Sequence, residues 1–150
     1  MKVLEDLLGT TDLPCSAASA GTARRWTASV LSDPRFAPIC EDGVLLVSEL
    51  VTNAVLHART GVRLSVWNGI DGVRFEITDY AATAPRRRLA DRLATTGRGL
   101  GLLDARAVDW GVEVDDDATT VWFVLDPGRP VDEVKATRWF AHDWFGGIGE

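Results

Sequence analysis

Apolar residues recur with two periods along the chain, and the places where the period changes mark its elements. Between Ser16 and Asp33, Ala17, Ala20, Ala23, Trp26, Thr27 and Val30 return every three to four residues, which predicts a helix. Asp33-Pro34 stops it, and "PRFAP" at residues 34–38 reads as a linker. The strongest helical pattern runs from Glu41 to Thr60, "EDGVLLVSELVTNAVLHART", with Gly61 placed as its C-terminal cap. The period then drops to two. Val62–Asn68 and Val73–Tyr80 alternate apolar and polar residues, and Gly69-Ile70-Asp71-Gly72 between them predicts a tight hairpin. Residues 81–96 show no strong period and read as a loop, with one helical turn around Arg88–Ala94. "GRGLGLLDARAVDWG" predicts a glycine-opened helix from Gly97 to about Asp109. A second hairpin follows, Val112–Val114 and Thr119–Leu125, turning through Asp115–Ala118. Beyond Asp126, Val131–Phe145 reads as an amphipathic helix with Val134, Trp139 and Phe140 as its apolar contacts.

Helix, helix, hairpin, loop, helix, hairpin is the order of an α+β fold. It predicts a two-layer α/β sandwich, a mixed and mostly antiparallel sheet with helices on one face. Strands and helices do not alternate singly, which argues against a doubly wound parallel sheet. The 150 residues suit one domain, and 46% hydrophobic with 25% charged residues gives an ordinary core. The expected divisions are an N-terminal segment at 1–11, the domain at 12–126 and a helical C-terminal extension at 127–150.

Charge and cysteine content remove several function classes. The net charge is −6, and the only dense basic run is "PRRR" at residues 85–88, so direct nucleic-acid binding is not expected. Cys15 and Cys40 form neither a CxxC nor a Cys/His cluster, which argues against zinc and for a reduced, cytoplasmic protein. Acids interrupt the N-terminal "MKVLEDLLGTTD", so it does not read as a signal peptide, and no membrane-spanning run is found.

The long helix holds the first candidate chemistry. At roughly 100° per residue, Glu49, Asn53 and His57 fall within a sector of about 80°. Val47, Val51, Ala54 and Ala58 form the opposite, core face. Leu45, Leu46 and Leu56 flank the polar stripe, where a wet face would carry lysine or glutamate, so the stripe is expected to line a half-covered pocket. A carboxylate among apolar neighbours loses hydration, which suits Glu49 to take a proton. The amide oxygen of Asn53 is a hard ligand fit for Mg²⁺ beside phosphates. The spacing alone is also met by a structural stripe, with Glu49 on a buried Arg, Asn53 capping a loop and His57 at the helix end.

Three further features join it. Asp79 ends a strand, where an acid accepts hydrogen bonds from a ligand amino group or merely forms a turn. "GRGLGL", residues 97–102, lets backbone approach a ligand closely, and the helix that follows aims free N–H groups and its dipole at phosphate. It is neither a P-loop nor a good dinucleotide fingerprint. Thr120 opens the last strand, with its hydroxyl expected toward the pocket or serving only as a strand former. Asp115, Asp116 and Asp117 read as a solvated turn.

Glu-x₃-Asn-x₃-His, a strand-end Asp, a glycine-rich helix start and a late-strand Thr, in that order, resemble the GHKL superfamily of ATPases and kinases. Its ATP-binding domain is the Bergerat, or histidine-kinase-like, sandwich. Within it the chain resembles the stand-alone anti-sigma-factor serine/threonine kinases, over about residues 12–126. The resemblance implies Glu49 as general base and Asn53 as the Mg²⁺ ligand, with His57 near the phosphates. Asp79 would read the adenine amino group, Thr120 would support it, and Ala81 would follow in the first glycine box. Gly97, Arg98, Gly99, Leu100, Gly101 and Leu102 would form the phosphate lid. It further implies ATP and Mg²⁺ as cofactors, and a sigma factor and a STAS-type anti-anti-sigma protein as partners, with a homodimer as a further expectation. One departure stands out. Where the family's first box runs Asp-x-Gly-x-Gly, this chain has Asp79-Tyr80-Ala81-Ala82-Thr83. Ala81 and Thr83 place a Cβ where glycine admits the ligand, which weakens nucleotide binding. That leaves open a second class, a non-catalytic regulatory module acting by protein–protein binding.

Overall fold

A computed structural model describes residues 6–80 and 98–128. Five strands form one antiparallel sheet: β1 (Asp6–Leu13), β2 (Val62–Gly69), β3 (Gly72–Asp79), β4 (Asp109–Val114) and β5 (Thr119–Leu125). Their order is β1-β2-β3-β5-β4, and every pairing among the described residues is antiparallel, in line with the mostly antiparallel sheet expected. Three helices, α1 (Ser19–Val30), α2 (Ala37–Asn53) and α3 (Arg98–Arg106), complete an α+β sandwich. Among the described residues no helix is long and apolar enough to cross a membrane.

The core follows the two periods. Leu46, Val47, Leu50, Val51 and Ala54 along α2 and its continuation are buried against Phe75, Ile77, Val121 and Phe123 from the middle of the sheet. Phe75 and Phe123 stack at 4.6 Å between centroids, tilted by 10°. Gly43 is the contact point: a Cβ there would stand 3.0 Å from the Phe75 ring and 3.2 Å from Leu31. Its missing side chain lets α2 press onto the aromatic stack.

Several boundaries differ from the sequence reading, each for a physical reason. Residues 6–11, expected outside the domain, pair with β2 as an edge strand. The strand pattern there is broken because the register shifts between Leu7 and Gly9, a bulge that moves alternate residues out of phase. Asp12 and Arg63 bridge this pair at 2.9 Å, and that hydrogen bond holds the Asp12 carboxyl below its ordinary range. Both groups are exposed, so the bridge contributes little. The "PRFAP" stretch is not a linker. Asp33 Oδ1 accepts from the Arg35 N–H at 2.9 Å, capping a 3₁₀ turn at Pro34–Phe36, and α2 starts at Ala37. Pro34 and Pro38 sit in first turns, where a missing N–H costs nothing.

At its other end α2 widens into a π turn, Ala54–Ala58, closed by Arg59 N–H donating to the Ala54 carbonyl. The left-handed cap is Arg59 (φ 58°), not Gly61, because the wider turn uses up the chain earlier. The third helix ends at Arg106 rather than Asp109. Trp110, buried opposite Phe123, already belongs to β4. The Gly69–Gly72 hairpin and the Thr119–Leu125 strand stand as predicted. In that hairpin, Gly72 takes φ 130°, and a Cβ would lie 2.6 Å from the Leu125 carbonyl oxygen. The expected loop at 81–96 and the helix at Val131–Phe145 lie outside the described residues.

Removing the Phe75 ring takes away the floor on which α2 rests. Phe75→Ala is expected to lower the unfolding free energy by about 3–5 kcal/mol, measured by urea denaturation. Ile70→Ala, at the exposed hairpin tip, should change it by less than about 0.5 kcal/mol.

Candidate functional site

Glu49 and Asn53 lie one turn apart on the last, regular part of α2. Asn53 is 4% exposed. Glu49 is half-buried and engaged. The helix is held in place just before it: Arg24 Nη1 of α1 donates to Ser48 Oγ at 2.8 Å, and Thr52 Oγ1 donates to the Ser48 carbonyl at 2.8 Å.

His57 follows on a different kind of turn from Glu49 and Asn53. It sits in the π turn, where each residue rotates less than in an α-helix, which brings its direction back toward that of Glu49 and Asn53. Its Nε2 is sealed from solvent and has no hydrogen-bond partner among the described residues. The flanking leucines split. Leu46 belongs to the core, Leu45 is half-buried, and Leu56 is 60% exposed.

The sheet supplies the facing wall. Asp79, the last residue of β3, is 1% exposed. Across the sheet it pairs with Val62 on one side and Thr119 on the other. Thr119 is fully buried on the same helix-facing side. Thr120, expected in the pocket, points to the opposite face, where its hydroxyl and that of Thr78 share a hydrogen bond at 2.7 Å. The alternation of β5 carried this signal, since Thr119 shares its phase with Val121, Phe123 and Leu125. Thr60 is a second residue that the sequence reading missed. Its Oγ1 accepts from the Tyr80 N–H at 3.1 Å and so fixes the chain just after Asp79. A hydroxyl in a helix-to-strand connection gives no distinctive pattern.

The glycine-opened helix lies beside the polar edge of α2. Arg106, in the last turn of α3, bridges to Asp42. Asp42 precedes Glu49 by seven residues, nearly the same direction on the α2 wheel, so α3 packs along the side that carries Glu49 and Asn53. Leu103 anchors α3 in the core, and the Trp110 Nε1–H donates to Asp104 at 2.7 Å. Leu102 is half-buried against the core. Gly101 is exposed, and a Cβ there would meet nothing within 4 Å. Glycine inside a helix costs about 1 kcal/mol relative to alanine, and no neighbouring protein atom demands it here. Arg98, Gly99 and Leu100 form the first turn of α3. Ala81 and Gly97 lie outside the described residues.

The residues present fit a nucleotide. Asn53 is a buried polar residue, His57 Nε2 is a buried atom without a hydrogen-bond partner among the described residues, and Gly101 leaves open space at α3, two residues before its core anchor Leu103. A buried carboxylate next to a buried hydroxyl, Asp79 with Thr119, is the donor–acceptor set that reads an amino-substituted ring edge.

A helix-borne polar edge facing a strand-end Asp–Thr pair and a glycine-opened helix defines an ATP-binding α/β sandwich. The histidine kinase-like ATPase domain family matches residues 13–136, and the chain belongs to that family, within the GHKL superfamily. The match begins at the last residue of β1, so most of that edge strand precedes it. No curated protein matches the chain.

The register makes a sharp prediction. Bound ATP raises the melting temperature by mass action. Thr119→Val should abolish that rise, and Thr120→Val should keep it, read by scanning fluorimetry with and without the nucleotide.

Proposed function

We propose that this ATP-binding domain is a Mg²⁺-dependent protein serine/threonine kinase. It transfers the γ-phosphate to a STAS-type anti-anti-sigma protein and sequesters a sigma factor. The observation that carries the reading is the Glu49/Asn53 pair at the end of α2, with Asn53 buried. The partners rest on the resemblance of "SELVTNAVLHA" and "GRGLGLL" to anti-sigma-factor kinases.

ATP, when bound, supplies the phosphoryl group and the leaving group. The Asn53 amide oxygen holds Mg²⁺, a hard cation that prefers oxygen ligands. Glu49 accepts the proton of the attacking serine or threonine hydroxyl as that oxygen becomes a nucleophile. Asp79 accepts a hydrogen bond from the adenine amino group, and Thr119 supports it from the neighbouring strand. The first turn of α3 presents backbone N–H groups to the phosphates. Such catalysis is chiefly positioning and charge stabilisation.

A second reading has its own observation. Asp79-Tyr80-Ala81-Ala82-Thr83 lacks the glycines of the family's first box. A domain that binds nucleotide weakly, or holds it without turnover, acts as a regulatory module through protein contacts.

Transfer of labelled phosphate from ATP to a purified STAS-type antagonist separates the two. Glu49→Ala is expected to reduce transfer by about 100-fold or more while still binding ATP. Asn53→Ala should lose both binding and transfer. Transfer by Glu49→Ala at the wild-type rate removes Glu49 as the base, and ATP binding without transfer by the wild type selects the module.

A further inference from the structure

We propose that Thr60 is a positioning residue for base recognition: its hydroxyl sets the Asp79 carboxylate against the amino group of the nucleotide ring. The proposal rests on the reading of Asp79 as the residue that meets adenine, and it assigns how that residue is held.

The pairing of β2 with β3 runs from Gly69↔Gly72 at the hairpin to Val62↔Asp79 at the far end. Two residues, Ile70 and Asp71, join the strands, so Gly69↔Gly72 is a hydrogen-bonded pair. In an antiparallel ladder every second pair after it is hydrogen-bonded too. That phase passes through Trp67↔Arg74, Ser65↔Glu76 and Arg63↔Thr78. Its next step sets Gly61 opposite Tyr80.

At that step a side chain takes the place of the rung. The Tyr80 N–H donates to Thr60 Oγ1 at 3.1 Å, and the Thr60 hydroxyl donates to the Gly61 carbonyl at 2.9 Å. The hydroxyl therefore stands between the two backbone groups that a further rung would join directly. A direct rung brings nitrogen and oxygen to about 2.9 Å, so the interposed oxygen holds the chains wider apart just beyond Asp79. Val62 and Asp79, the last regular pair, are each 1% exposed. The sheet thus parts at a buried carboxylate.

The place of Thr60 in the chain fits this role. It follows Arg59, the left-handed residue that caps the π turn. Its hydroxyl ties the end of the helix that carries Glu49 and Asn53 to the end of the strand that carries Asp79. A group that recognises a ligand by hydrogen bonds must be held to within about 0.5 Å. Valine keeps the shape of threonine but can neither donate nor accept, whereas serine does both. In Thr60→Val a methyl group fills the place of the hydroxyl. The Tyr80 N–H then loses its acceptor and is kept from the Gly61 carbonyl, so the peptide that follows Asp79 turns toward water.

The amino group of adenine gives a readout that a general structural role would not move. Inosine triphosphate (ITP) carries a ring carbonyl where ATP carries that group, so a carboxylate acceptor favours ATP. Mg-ATP and Mg-ITP are titrated by calorimetry into the wild-type chain, Thr60→Val and Thr60→Ser. The wild type should prefer ATP by about tenfold or more, the size of one hydrogen bond to a charged group. Thr60→Val should cut that preference to less than about threefold, through weaker ATP binding with ITP affinity unchanged, and Thr60→Ser should restore it. Thr60→Ala, which also lacks the hydroxyl, carries the same expectation if Thr60→Val does not fold. Equal affinity of the wild type for both nucleotides removes Asp79 as the base-reading group, and the role of Thr60 with it. Full discrimination by Thr60→Val beside a discriminating wild type overturns the role of Thr60 and leaves that of Asp79 standing. Equal losses for ATP and ITP make Thr60 a structural residue only and contradict the proposal. Without nucleotide, hydrogen exchange at the Tyr80 amide should quicken several-fold in Thr60→Val, and an unchanged rate contradicts the inserted hydroxyl.

Discussion

The structure depends on how closely α2 approaches the Phe75–Phe123 stack. Gly43 removes the side chain that would hold helix and sheet apart. From that contact the apolar side of α2 is committed to the core through Leu46, Val47, Leu50 and Val51. The remaining side carries Glu49 and Asn53 and meets α3. One helix thus serves as the main hydrophobic wall and as the polar edge of a pocket. A shift of α2 to repack the core would move both functional side chains together. The bonds from Arg24 to Ser48 and from Arg106 to Asp42 pin it from two sides.

The far end of α2 is treated differently. The π turn after the buried Asn53 gives up regular helical bonding, and in it His57 Nε2 stays buried without a hydrogen-bond partner among the described residues. Arg59 then takes a left-handed conformation at a residue with a Cβ, which costs about 1–2 kcal/mol. The next strand starts at Val62, beside Asp79. Irregular backbone, an unpartnered polar atom and the end of the sheet therefore meet at one place, as they do where a fold makes room for a ligand.

Much of this was legible in the chain. Period-two alternation located β2, β3 and β5, and the three-to-four spacing located α1 and α2, because those patterns report burial directly. What was hidden involved residues whose placement comes from partners distant in sequence. The bulge in β1 scrambled its alternation, so only pairing with β2 reveals it as a strand. The third helix was read on to about Asp109 because the strand that starts there is shown only by its pairing with β5. The Glu49/Asn53 edge was visible from the wheel. The π turn that carries His57 was not visible, since nothing in "NAVLHA" announces a wider turn. Thr120 was the residue named on the last strand, although the phase of Val121 and Phe123 turns Thr119 to the helix-facing side.

The central claim is that Asp79, buried at the end of β3 beside Thr119, reads an adenine nucleotide in the pocket edged by Asn53. Calorimetric titration of Mg-ATP into the wild-type chain and into Asp79→Asn tests it most directly. The account predicts saturable binding at one site per chain for the wild type and its loss in Asp79→Asn, which replaces an acceptor oxygen with a donor. Equal binding by both proteins, or no binding by the wild type, would contradict it.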